Sequence, residues 1–269
     1  MSTMDISPAA PSGPPRSSAA GFNDFLLRYA SPLVVFALLA IWQLIAMVLV
    51  IPVYILPQPL NLIMALPANG QTLFRGWIVT VLEASAGFII GNIFSIAVAF
   101  LVTVSRTARA GIMPVALAIK SVPMVAITPL ITLSVGFGHS TVVTVAAIVC
   151  FFPTLVNVSR GLRAAPSGSV DLFHILNANP VHTFWKLRMP YALPYLFTAL
   201  RITAPAALGG AMLAEYVASN AGLGYLIQDG YGRFQFVLVW QIVVVATITT
   251  LVAFSTVVFF EKRLVDNRR

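Results

Sequence analysis

The run FVLVWQIVVVATITTLVAFSTVVFF, residues 236–260, contains no charged side chain. A helix needs about 20 apolar residues to cross the hydrocarbon core of a bilayer, so this run is long enough to span it. The rest of the chain has the same character. Of 269 residues, 59% are hydrophobic and 9% charged, and the mean hydropathy is +0.92. A soluble domain is about a quarter charged, and a water-soluble globule of this composition would lack polar surface to cover its core. Soluble enzyme, nucleic-acid binder and disordered regulator are therefore poor readings. What remains is an integral membrane protein.

Five further runs fit the same description. They cover 32–51, 77–104, 111–135, 141–158 and 191–218, with Glu83 in the second, Lys120, Pro123 and Pro129 in the third, and Arg201 and Glu215 in the fifth. The first is too long for a signal-peptide core and ends in Ile51-Pro52 rather than a small-residue cleavage site, so it reads as an uncleaved span. The expected fold class is an all-α membrane protein of six transmembrane helices. Residues 1–21, rich in Ser, Pro, Ala and Gly, read as a flexible cytoplasmic tail, and 22–269 as one transmembrane domain. The apolar segment 52–76 is expected on the membrane surface or against the bundle.

Charge placement orients the spans. Six spans put both termini on one side. The segments on that side hold Arg16, Arg28, Arg106, Arg109, Arg160, Arg163, Lys186, Arg188, Lys262, Arg263, Arg268 and Arg269; the opposite segments hold Arg75 and Arg233. Basic residues favour the cytoplasmic side, so both termini and the loop 160–190 are expected there, in a multi-pass protein. The net charge of +8 is thus spread over loops between apolar runs, and no nucleic-acid partner is implied. The lone Cys150 excludes an intrachain disulfide or a cysteine-cluster metal site, and reads as a buried inert thiol.

The loop 160–190 is the longest inside segment. Ser167 or Ser169 can cap a short helix with Asp171 in its first turn, followed by Leu172, Phe173, Ile175 and Leu176. Asn177 suits the left-handed conformation that ends a helix. Asn179 can cap a second helix with Pro180 in first position, running to about Met189 before Pro190. Apolar side chains exposed on such a loop need a partner or a membrane surface.

Here the chain resembles the permease subunits of ABC importers. Their cytoplasmic loop is patterned Glu-Ala-Ala, three residues, Gly, nine residues, Ile, one residue, Leu-Pro. This chain reads Asp171-Leu172-Phe173, three residues, Asn177, nine residues, Leu187, Arg188, Met189-Pro190. The spacing is kept; Leu172-Phe173 in place of the alanine pair is a departure. The likeness extends through Lys120-Ser121-Val122-Pro123, Ile127-Thr128-Pro129-Leu130, Gly136-Phe137-Gly138, Phe151-Phe152-Pro153, Asn157, Gly161, Ala192-Leu193-Pro194, Leu200-Arg201, Ala214-Glu215 and Gly222-Leu223-Gly224-Tyr225-Leu226-Ile227. These resemble the permeases for nitrate, sulfonate and taurine.

The resemblance implies a type I importer fold in a prokaryotic inner membrane, and several partners. They are a second permease subunit (a homodimer is expected), two cytoplasmic ABC ATPase subunits, an extracytoplasmic solute-binding protein and the bilayer. It implies that Asp171, Leu172, Phe173, Leu176, Asn177, Asn179 and Pro190 form the ATPase-coupling loop. ATP and Mg²⁺ are then used by the partner. This chain has no phosphate-binding Gly-rich loop and no nucleophile or metal constellation, so no catalytic residue, metal or cofactor of its own is expected.

Polar residues inside spans are functional candidates by default. Candidates for the pathway or gate are Asn92, Asn157, Gly209, Gly210, Glu215 and Tyr216. Asn92, Ser85, Thr154 and Asn157 could equally bind helices together. Arg201 and Glu215 stand about 21 Å apart along one helix and cannot pair. Arg201 is expected to reach carbonyls or a neighbouring helix, Lys120 to snorkel, Glu83 to be solvated at the interface, and His139, His174 and His182 to be solvated loop residues. A secondary transporter driven by an ion gradient is the rival reading. It has only Glu83 and Glu215 for a relay.

Overall fold

The computed structural model describes residues 18–265, with side chains over 33–264 except 180 and 181. Every described element is helical: α1 (Ser18–Val48), α2 (Pro59–Met64), α3 (Leu66–Val104), α4 (Arg106–Ser121), α5 (Met124–Val135), α6 (His139–Gly161), α7 (Ser167–Ile175), α8 (Pro180–Thr183), a π-helical turn (Phe184–Arg188), α9 (Met189–Ala218), α10 (Leu223–Gly232) and α11 (Phe236–Val265). Of the tail expected over 1–21, residues 1–17 lie outside the described ones and 18–21 begin α1.

Four helices are long and apolar enough to span: Leu66–Val104, His139–Gly161, Phe184–Ala218 and Phe236–Leu264. The third expected span is two helices, α4 and α5, bent by 107° at their junction. Pro123 explains the break, because the residue before a proline is pushed from the helical region, and Val122 has ψ 128°. The apolar part of α1, Leu33–Val48, is a shorter apolar helix, so the described residues give four spans, or five with the bent pair, where six were expected. The second span starts earlier than expected. Pro67 falls in the first turn of α3, where no N–H is needed, so the helix runs 39 residues, about 58 Å.

The described residues form two compact units, divided between Leu60 and Asn61. In the first, Gln43 donates to Gln58 Oε1 (3.3 Å) and accepts from the Leu60 N–H (3.2 Å). The exposed Val34, Phe36, Leu38 and Val48 of α1 suit lipid rather than water.

In the second unit, α6 packs along both α3 and α9, and α11 lies on α9. Small residues permit the α3–α6 approach. A Cβ on Gly87 would stand 2.4 Å from Ala146 Cβ, and one on Gly91 2.4 Å from the Ala147 carbonyl oxygen. This four-residue spacing of small residues lets backbones meet where lipid removes any hydrophobic drive between helices. Gly91→Ala is expected to cost about 1–3 kcal/mol by overpacking, read as a lower melting temperature in detergent. Gly70→Ala, on the same helix with open space around it, is expected to leave melting unchanged or raise it.

Polar pairs add to the packing. Asn69 Nδ2 donates to Gln241 Oε1 (2.7 Å), and Gln241 Nε2 donates to the Leu62 carbonyl (2.7 Å). Trp77 Nε1 donates to Thr249 Oγ1 (2.9 Å). Gln241 therefore sits in an otherwise apolar run as a buried bridge.

Candidate functional site

The loop end of the bundle carries a short helical knob, α7. α7 starts after Pro166, with no side-chain cap. The expected Ser167 or Ser169 cap does not form, and Asp171 lies in the second turn, not the first. The reason is local: Pro166 fixes an extended turn-in, and the helix starts at Ser167, earlier than either cap would place it. Asn177 ends the helix as expected, with φ 49°. Its N–H bonds the His174 carbonyl (3.0 Å), and the Ala178 N–H bonds that of Phe173 (3.0 Å). Those two bonds make a Schellman closure, which an Asn tolerates almost as well as a Gly.

Three apolar side chains in and just after α7 are exposed. Leu172 is 53% exposed, Ile175 78% and Leu176 68%, whereas Phe173 is half-buried. Ile175, which the expected coupling set leaves out, is the most exposed of the four. Its place in the helix pattern was visible, but the direction it faces was not.

The second loop helix does not stop before Pro190. α8, the π turn and α9 follow without a break, and Pro190 lies in the first turn of α9. In a plain α-helix Pro190 would clash with the carbonyl four residues back and leave it unpaired. The wider π turn, in which the Met189 N–H reaches the Phe184 carbonyl, absorbs the mismatch. Phe184 stacks edge-on against Phe100 at 4.9 Å and Leu187 is 7% exposed, so the base of the loop is tied to α3 and continuous with α9.

The opposite end holds a buried acid. Glu215 is 0% exposed. Its Oε2 accepts from Thr80 Oγ1 (2.9 Å) and from the Gly224 N–H (2.7 Å). Thr80 Oγ1 also accepts the Leu223 N–H (2.7 Å). Gly222, at φ 96°, presses against the carboxyl, and a Cβ there would stand 2.2 Å from Glu215 Cδ. α3, α9 and the start of α10 are thus clamped together through one side chain.

Glu83, one turn along α3 from Thr80, is 5% exposed and bonds His139 Nδ1. It is not solvated as expected, because its face of α3 packs on α6, whose first residue is His139. The His139 side chain is 71% exposed yet engaged. His174 and His182 are exposed as expected.

The remaining candidates separate. Asn92 is 4% exposed; its Oδ1 accepts from Thr154 Oγ1 (2.6 Å) and Thr203 Oγ1 (3.4 Å). It joins α3, α6 and α9, as the helix-binding alternative foresaw. Asn157 donates to the Pro153 carbonyl (2.8 Å). Gly210 packs on Val149, while Gly209 faces open space beside the 44% exposed Tyr216. Arg201 pairs with Glu261 of α11 at 3.1 Å, and Lys120 lies over the Phe152 ring at 4.8 Å. Cys150 is buried. No cluster of His, Cys, Asp and Glu among the described residues can hold a metal ion.

Residues 91–269 match the family described as binding-protein-dependent transport system inner membrane component. A "probable ABC transporter permease protein" of Haemophilus influenzae is 32% identical, with 87% of this chain and 94% of that protein covered. The formylaminopyrimidine transport permease protein of Halalkalibacterium halodurans is 26% identical over 86% of this chain and 93% of its own length. Among solved structures, a chain of the MetNI methionine ABC transporter in an inward-facing conformation superposes with a TM-score of 0.61. It is 20% identical and covers 74% of this chain and 97% of its own. That likeness concerns the fold.

Proposed function

This chain belongs to the family of binding-protein-dependent transport system inner membrane components and is a permease subunit of an ABC importer, and on that premise we propose how it works. Two copies pair to form the pathway. Two ATPase subunits, which bind ATP and Mg²⁺, dock on the 160–190 loops from the cytoplasm, where both termini also lie. An external binding protein delivers the solute. The solute is small and polar, of the oxyanion or heterocyclic kind, in keeping with the relative named for a formylaminopyrimidine.

The observation that carries this reading is the α7 knob. Leu172, Ile175 and Leu176 are exposed on a helix too short to need them for its own packing. Asp171 and Asn179 border it, Phe173 and Asn177 close it, and Pro190 with its π turn joins it to α9. ATPase closure pushes α7, and the push travels along α8 and α9 as one rod. The far end of that rod is Glu215, with Tyr216 and the open face of Gly209 beside it. There the push opens or closes the gate, and Gly210 and Asn157 keep the rod against α6. Asn92 acts as glue rather than lining.

A tagged full-length chain purified in mild detergent from its native cells is expected to bring an ATPase subunit with it, with vanadate-sensitive ATP hydrolysis. A chain that purifies alone, without hydrolysis, would overturn the reading. The gradient-driven alternative is not favoured, since Glu215 is committed to Thr80 and Gly224.

A further inference from the structure

The basic end of the bundle holds a feature at the root of the 160–190 loop to which the coupling account above gives no role. Leu162 is 2% exposed and packs with Ala116, Val158 and Ala192, which anchors the backbone of Arg163 at the root of the loop. On α4, Ile112 and Met113 pack against the same cluster. They follow Arg109 by three and four residues, so they share its helix face. Arg109, Arg160 and Arg163 therefore converge. Burial, and then the charges of Arg109 and Arg160, hold the Arg163 guanidinium below its ordinary proton affinity. Its Nη1 is buried with no hydrogen-bond partner.

Converging guanidiniums with a free buried donor call for an anion. Among the described residues no carboxylate pairs with them. No Asp or Glu occurs between Glu83 and Asp171. Among the described side chains at this end, Glu261 is held by Arg201 and Asp171 is exposed on α7. The start of α4 lies beside Arg109, with Ser105 capping the Ala108 N–H (3.1 Å), and adds the positive end of a helix dipole.

The neighbouring surface suggests which anion. Leu162, Val158, Phe100, Phe184 and Trp185 help to line an apolar cavity of about 150 Å³. Trp185 is 62% exposed, and such rings favour the headgroup level of a bilayer. A free phosphate gains nothing from an apolar cavity, whereas an acyl chain does.

We infer that Arg109, Arg160 and Arg163 bind the phosphate of an anionic phospholipid whose acyl chain enters the cavity beside Leu162. Bound there, the lipid stiffens the link between α6 and α7. The site does not depend on which solute the chain carries.

The test is native mass spectrometry of the full-length chain, delipidated and titrated with phosphatidylglycerol or phosphatidylcholine of matched acyl chains. The expected result is binding of phosphatidylglycerol about tenfold tighter. That preference is lost in the Arg109→Gln/Arg163→Gln double variant and largely kept in Arg163→Lys. Arg233→Gln, at the opposite end, leaves it intact. Melting in detergent shows whether the double variant is folded, and the two-lipid comparison on the unaltered chain stands without it. Equal binding of both lipids, or a preference that survives in the folded double variant, would overturn the inference. Displacement of phosphatidylglycerol by millimolar inorganic phosphate would overturn the lipid occupant and leave a free-oxyanion site.

Discussion

Leu176→Asp and Ile175→Asp are each expected to release the ATPase partner, with retention on the purified permease falling about thirtyfold or more. The chain itself stays in the membrane and melts as before. Both side chains are more than two-thirds exposed, so a carboxylate there costs the isolated chain little. In a docked interface the same carboxylate is desolvated without a partner, and that penalty is several kcal/mol. Phe173→Asp is expected to differ: its ring is half-buried, so coupling and stability fall together. Co-purification measured beside a melting curve separates the two cases. Retention of the partner by folded Leu176→Asp would count against α7 as the docking element.

The second large effect is expected at the buried clamp. Gly222→Ala combines two costs. A non-glycine residue at φ 96° is strained by about 1–2 kcal/mol. The new Cβ would also displace the Glu215 carboxyl, stripping buried N–H and O–H groups of their acceptor at about 1–3 kcal/mol each. The variant is expected to melt well below the parent or fail to accumulate. Glu215→Leu removes the acceptor directly and is expected to do the same. Glu215→Gln is the discriminating case. Its amide oxygen can take the place of Oε2 and keep both bonds, to Thr80 and to Gly224, so it is expected to stay close to the parent in melting. A large loss in Glu215→Gln would show that the carboxyl does more than brace α10 against α3.

The all-helical fold was legible because it rests on composition and on runs such as 236–260, which local sequence records directly. The bend after Asn177 was legible for the same reason, since a left-handed helix end leaves its mark in one residue. Errors came where one local signal met a rule of position. Pro67 and Pro190 look like breaks, yet one sits in a first helical turn and the other behind a π turn, so both helices continue. Long-range partners left no local trace. Glu261 lies 60 residues from Arg201 and becomes its partner only when α11 lies on α9. Glu83 looked interfacial because it lies near the start of the apolar run 77–104, but α3 begins at Leu66, and the side of the helix it occupies is set by Gly87 and Gly91 against α6. Asn92 could be read as lining or glue until Thr154 and Thr203 came to it from two other helices.

The central claim is that solute movement through this chain is driven by ATP hydrolysis in a docked partner. It is tested most directly by reconstituting the co-purified assembly in proteoliposomes with its binding protein and following uptake of the solute that protein carries. The expected result is accumulation that requires ATP on the loop side, stops with vanadate, is indifferent to a protonophore and is lost in Leu176→Asp. Accumulation that continues without ATP and collapses with the protonophore would contradict it.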